Sequence, residues 1–97
     1  MERLVLDYPA LYTVPRRVHV GVVGSGDLEV LLEPSPDHRA HVVVNTGVEG
    51  FGALWRTVLD RFFVRFQGAV CIEINDFGAT PGTVTLRLEH AAEAART

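Results

Sequence analysis

A chain of 97 residues can bury one modest core and no more. Hydrophobic residues make up 47% and charged residues 22%, a balance that argues for a folded domain and against disorder. The formal net charge is -3, lysine is absent and the nine arginines are scattered, which argues against a nucleic-acid surface.

The first residues, Met1 to Asp7, interrupt their apolar positions with charge and do not read as a signal peptide. Leu4, Leu6 and Tyr8 alternate and open the first predicted strand. Tyr8 to Pro15 holds two prolines and reads as a loop. Val18, Val20 and Val22 form the second strand, and Leu28, Val30 and Leu32 the third. Between them Gly24, Ser25, Gly26 and Asp27 form the tip of a tight hairpin. A second turn spans Glu33 to Arg39, and Val42 and Val44 continue the alternation in a fourth strand. The interleaved Arg17, His19, Glu29 and Glu73 suit a wetter face, so the sheet is expected to be covered on one side only.

From Gly50 to Phe66 the period changes. Apolar residues fall at Phe51, Leu54, Trp55, Val58, Leu59, Phe62, Phe63 and Phe66, the steps of three and four that mark one stripe of an α-helix. Thr46 and Glu49 have capping-box spacing, and Gly68 is a candidate stop signal. Val70, Ile72 and Ile74 return to period two. A third turn covers Asp76 to Gly82, and Val84, Leu86 and Leu88 read as a last strand, with Thr85 and Arg87 on its wetter face. The Ala-rich tail after Glu89 is compatible with a short helix or a frayed end. The expected order is β, β, β, β, α, β, β. That order predicts an α+β fold of two layers, a mainly antiparallel β-sheet packed against one long α-helix at about residues 50–66, in a single domain over 1–97.

No apolar run approaches the roughly 20 residues that cross a bilayer. The lone Cys71 excludes an internal disulfide and fits a reducing compartment, so a cytoplasmic protein is expected. Cys71 itself reads as a half-buried structural thiol. The histidines at 19, 38, 41 and 90 fall on separate elements without metal-ligand spacing, and His38 and His41 read as solvated. Asp76, Phe77 and Gly78 copy a kinase tripeptide, but none of the other kinase motifs accompanies it. Gly21, Gly24 and Gly26 do not make a dinucleotide-binding fingerprint, and the strand that follows offers no helix N-terminus to a phosphate. No nucleophile, base and orienting acid come together, so an enzyme is not expected. Leu11, Tyr12 and Phe77 are apolar residues at loops, either docking positions or plugs for the ends of the core.

The Gly24, Ser25, Gly26 tip is the most informative local feature. Glycine tolerates positive φ and close approach by another backbone, so a modifying enzyme could reach the Ser25 hydroxyl. Gly and Ser are also routine turn residues, and on chemistry alone an ordinary hairpin turn is the stronger reading. Asp27 reads as serving the turn or a docking contact.

Two longer runs change that balance. Residues 21–34, from Gly21 through Gly24, Ser25, Gly26 and Asp27 to Pro34, resemble the signature of the malonate decarboxylase acyl carrier protein, or delta subunit, family. Residues 75–89, from Asn75 to Glu89, resemble that family's C-terminal block, and the helix bearing Trp55 sits where the family has one. The resemblance implies a non-catalytic carrier subunit. It implies that Ser25 is joined by a phosphodiester to 2'-(5''-phosphoribosyl)-3'-dephospho-CoA, with Gly24, Gly26 and Asp27 as the flanking loop. The arm's thiol would hold acetyl and malonyl thioesters while malonate is decarboxylated to acetate and CO2. The implied partners are the acyltransferase and decarboxylase subunits and a separate prosthetic-group transferase, with neither nucleic acid nor a membrane involved. The alternative is a non-catalytic α+β interaction subunit whose Gly-Ser-Gly hairpin tip stays unmodified.

Overall fold

A computed structural model describes residues 1–96. In chain order it contains β1 (Glu2–Pro9), β2 (Tyr12–Thr13), β3 (Val18–Gly21), β4 (Leu28–Pro34), β5 (Arg39–Thr46), α1 (Gly52–Arg65), β6 (Gly68–Asp76) and α2 (Pro81–Arg96). The sheet runs β1-β5-β6-β4-β3, and the short β2 pairs with the start of β6. The β1/β5, β3/β4 and β4/β6 pairs are antiparallel, whereas β6 is parallel to β5 and to β2. The β5/β6 pair is parallel because α1 carries the chain back over the sheet, as a parallel neighbour requires. The fold is thus α+β with a mainly antiparallel sheet, as the alternation predicts.

Period two buries one face. Leu28, Val30 and Leu32 of β4, Ala40, Val42 and Val44 of β5, and Val70, Ile72 and Ile74 of β6 all lie in the core. Register aligns them: Ile74 sits between Val30 on one side and Val44 on the other. Trp55, Leu59 and Phe63 of α1 cover this face, spaced by four residues and so on one helical side. Tyr8 of β1 stacks on Phe63 at 4.3 Å and donates a 2.7 Å hydrogen bond to Asp60, tying the sheet edge to α1. Among the described residues no helix is long and apolar enough to cross a membrane.

The expectation of a single helix is overturned. Pro81–Arg96 is a second helix, not a strand with a tail. Val84 and Leu88 are two strand steps of two apart, but they are also one helical turn apart, so alternation alone could not separate the two readings. The buried set continues at Ala91, Ala92 and Ala95, the helical rhythm, while Leu86 is 49% exposed. The start signal was present in the sequence. Pro81 occupies the first helical position, and Thr80 caps it by accepting a 3.2 Å bond at its hydroxyl from the Thr83 N–H. Alanine, the strongest helix former, fills the C-terminal half. Thr85 and Arg87 accordingly lie on α2 and not on a strand.

Smaller differences follow the same logic. Thr46 does not cap α1. The helix begins at Gly52 with Phe51 as an N-cap that makes no side-chain bond. Thr46 is fully buried instead, and its hydroxyl donates to the Asp76 carboxylate at 2.8 Å. Gly68 is not the cap that ends α1, since Phe66 takes that position in extended conformation. Gly68 opens β6, where a Cβ would stand 2.6 Å from the Val14 side chain and 2.7 Å from Phe66. Strand β1 runs on to Pro9 and Tyr12 and Thr13 pair with β6, so the predicted loop from Tyr8 is partly sheet.

The other face of the sheet is polar and uncovered by helices. Glu29 joins His19 at 3.0 Å and accepts from Asn75 at 2.8 Å, and Asn45 donates to Asn75 at 3.0 Å. Cys71 is half-buried on this face and is a free thiol. His41 is more tightly held than a solvated residue: its ring nitrogens meet Asp7 and Asp37 at 2.7 Å each. The hydrogen bonds to Asp7 and then Asp37 raise the His41 pKa above its ordinary 6.5. Bonds from Ser35 and His41 hold Asp37 down at about 2. Because the folded His41 binds its proton more tightly, the stability it contributes is full below pH 6.5 and fades as pH rises through the raised value. The melting-temperature gap between wild type and His41→Gln, measured at low salt, is expected to be widest below pH 6.5 and to narrow as pH rises above it.

Candidate functional site: the Ser25 turn

Residues Val22 to Asp27 link β3 to β4. Gly21 ends β3 at φ 86°, where a Cβ would strike the carbonyl oxygen of Leu28, so only glycine fits there. The Asp27 N–H donates to the Gly24 carbonyl at 3.1 Å and closes a four-residue turn. Gly26 takes its third position at φ 77°, the left-handed conformation that a type II turn demands. Ser25 stands at the second position, exposed.

Three sets of bonds fix this turn to the rest of the molecule. The Gly26 N–H donates to the Phe77 carbonyl at 2.7 Å, and the Phe77 N–H donates to the Asp27 carbonyl at 2.9 Å. They continue the β4/β6 ladder past its last pair, Leu28 with Asp76. The Asp27 carboxylate accepts from the Leu28 N–H at 2.7 Å. It also receives both ends of the Arg87 guanidinium, Nη2 at 2.8 Å and Nε at 3.3 Å, which bridges the turn to α2. Two-point pairing of this kind sets direction as well as attraction.

Arg87 first, and the Leu28 N–H second, hold the Asp27 carboxyl below its usual range. A carboxylate committed in this way is not free to activate Ser25. The stability it contributes is present above the ordinary carboxylate pKa and is lost as pH falls through the lowered value. Arg87→Ala is therefore expected to lower the melting temperature more at pH 7 than at pH 3, and to speed amide exchange at Gly26 and Asp27. Exchange that stayed slow would show that the backbone bonds to Phe77 suffice.

The predicted site residues thus fall together. Ser25, Gly24, Gly26 and Asp27 form one turn, and Asp27 serves that turn as the sequence suggests. Arg87 was not legible, because the run around it reads as a strand and its partner lies 60 residues away. The space over the serine is open. A Cβ on Gly26 would meet nothing within 4 Å, and one on Gly24 only the Val22 side chain at 4.0 Å. The turn presents an exposed serine hydroxyl on a support fixed by β6 and α2.

Residues 15–95 match the family described as Malonate decarboxylase delta subunit (MdcD). The chain is 49% identical over 94 residues to the malonate decarboxylase acyl carrier protein of Azotobacter vinelandii, covering 96% of this chain and 95% of that one. It is 47% identical over 96 residues to the protein of that name from Pseudomonas paraeruginosa, covering 98% and 97%. A chain in the crystal structure of a Pseudomonas malonate decarboxylase hetero-tetramer in complex with malonate superposes with a TM-score of 0.93 at 45% identity, covering 98% of this chain and 99% of that one. With most of its length matched and its exposed serine on a fixed turn, the chain belongs to the malonate decarboxylase delta subunit family, the acyl carrier proteins of that enzyme.

Proposed function

We propose that this chain is the acyl carrier subunit of a malonate decarboxylase that converts malonate to acetate and CO2, and that Ser25 is its attachment point. The observation that carries the reading is the exposed Ser25 hydroxyl, at the apex of a turn tied to β6 and α2, in a chain of this family. The group we assign to it is 2'-(5''-phosphoribosyl)-3'-dephospho-CoA, joined through a phosphodiester. Its terminal thiol supplies a site for acyl thioesters.

The chain's own contribution is mechanical. Gly24 and Gly26 keep the approach to the hydroxyl clear. Asp27 and Arg87 hold the base of the turn still, so motion is left to the arm and not to the loop. A tethered thioester reaches each partner site at an effective concentration on the order of mM, which lets a subunit without catalytic groups raise the rate of a multi-step reaction. Acyltransferase and decarboxylase subunits are the partners to be visited, and a separate transferase supplies the base that activates Ser25. The free, half-buried Cys71 suits a cytoplasmic complex.

The test is intact-protein mass spectrometry after co-expression with the native prosthetic-group transferase, followed by peptide mapping. A mass gain equal to phosphoribosyl-dephospho-CoA, localised to Ser25, is expected. An unmodified chain in the presence of an active transferase would overturn the assignment and leave a docking subunit with a bare turn.

A further inference from the structure

A cleft of about 280 Å³ opens between the first turns of α1 and α2, over the ends of β5 and β6. Trp55 and Val84 lie buried at its base, and Val48, Phe51 and Leu54 line it while 39–48% exposed. Exposed apolar side chains gathered around a concave site mark a place where a ligand or partner is covered. One charged residue borders it: Asp76, 4% exposed, whose carboxylate accepts bonds from the Thr46 hydroxyl at 2.8 Å and the Ala79 N–H at 3.0 Å. A carboxylate has room for about four such bonds.

The position of this cleft is what gives it meaning. Gly78, another of its lining residues, abuts the Ser25 turn: a Cβ there would stand 4.0 Å from both the Cα and the N of Gly26. One wall of the cleft therefore lies beside Gly26, the residue that follows Ser25.

We propose that this cleft receives the adenine of the group carried by Ser25, an inference that rests on the function assigned above. In that group the adenine follows the phosphodiester and two riboses, whereas the pantetheine lies farther out beyond a diphosphate. Adenine is flat and apolar on its faces and carries an amine donor at its edge. Its faces suit a slot lined by Phe51 and Trp55, since aromatic side chains stack on bases. Its amine suits the Asp76 carboxylate. The diphosphate and a malonyl carboxylate are excluded by the same charge and by the apolar rim. A seated adenine would pin the inner end of the arm and leave the pantetheine to swing.

The experiment compares amide and indole NMR spectra of the full chain, unloaded and loaded, with mass spectrometry confirming occupancy of Ser25. Loading is expected to shift the Trp55 indole N–H and the amides of Val48, Ala79 and Val84. The shifts are expected to survive treatment with a nucleotide pyrophosphatase, which cleaves the diphosphate and releases the phosphopantetheine, provided the remaining mass shows the adenosine portion still attached. Leu54→Glu alters an exposed rim position and is expected to abolish the shifts while Ser25 still loads fully. A loaded chain whose cleft resonances do not move overturns the inference, as do shifts that vanish with the pantetheine or persist in Leu54→Glu. A chain that never loads overturns the function and this inference together.

Discussion

Ser25→Ala is expected to eliminate the mass gain on co-expression and to reduce malonate decarboxylation by the reconstituted complex to background. The fold is expected to survive. Ser25 is exposed, and the turn is held by backbone bonds to Phe77 and by Asp27. Substitutions at such positions change stability by no more than about 0.5 kcal/mol. Function and stability should therefore separate cleanly: full loss of the arm with an unchanged urea midpoint. Loss of both would show that the hydroxyl holds the turn together. Labelling that persisted in the variant would place the attachment elsewhere.

Leu88→Ala and Leu86→Ala test the last element of the fold. In α2, Leu88 is fully buried beneath the helix and Leu86 is 49% exposed. The first change is expected to cost about 2–5 kcal/mol, a lost transfer term plus a cavity. The second is expected to stay within about 0.5 kcal/mol. In a strand the two side chains would share a face and the two costs would be similar. Comparable losses in a denaturant titration would therefore contradict a helical α2. Circular dichroism of Leu86→Pro offers an independent check, because proline inside a helix costs about 3 kcal/mol or more, whereas an edge strand tolerates it.

Most of the sheet was readable because period two is a local property. The triplets Leu28, Val30, Leu32 and Val70, Ile72, Ile74 bury every second residue against the helices whatever the strand order. The α1 stripe was readable for the same reason at period 3.6, although its ends were not: Thr46 and Gly68 look like helix signals but serve buried contacts with Asp76 and with Val14 and Phe66. The stretch from Val84 to Leu88 is where local pattern fails. Positions four apart satisfy both periods, and the deciding information lay outside the window, in the Thr80 cap and in the alanines that follow.

By itself the sequence determined the α+β class, the one-sided core and the hairpin that presents Ser25. These follow from side-chain periodicity and from turn residues whose backbone preferences act over two to four positions. Only the tertiary structure decided that Asp27 is gripped by Arg87, that Phe77 completes the turn through its backbone, and that an apolar cleft floored by Trp55 opens beside Gly26. Each of those joins residues at least 29 positions apart, as with Gly26 and Trp55. Contacts of that range come from strand order and helix placement, which burial of the whole core selects at once and no local pattern encodes.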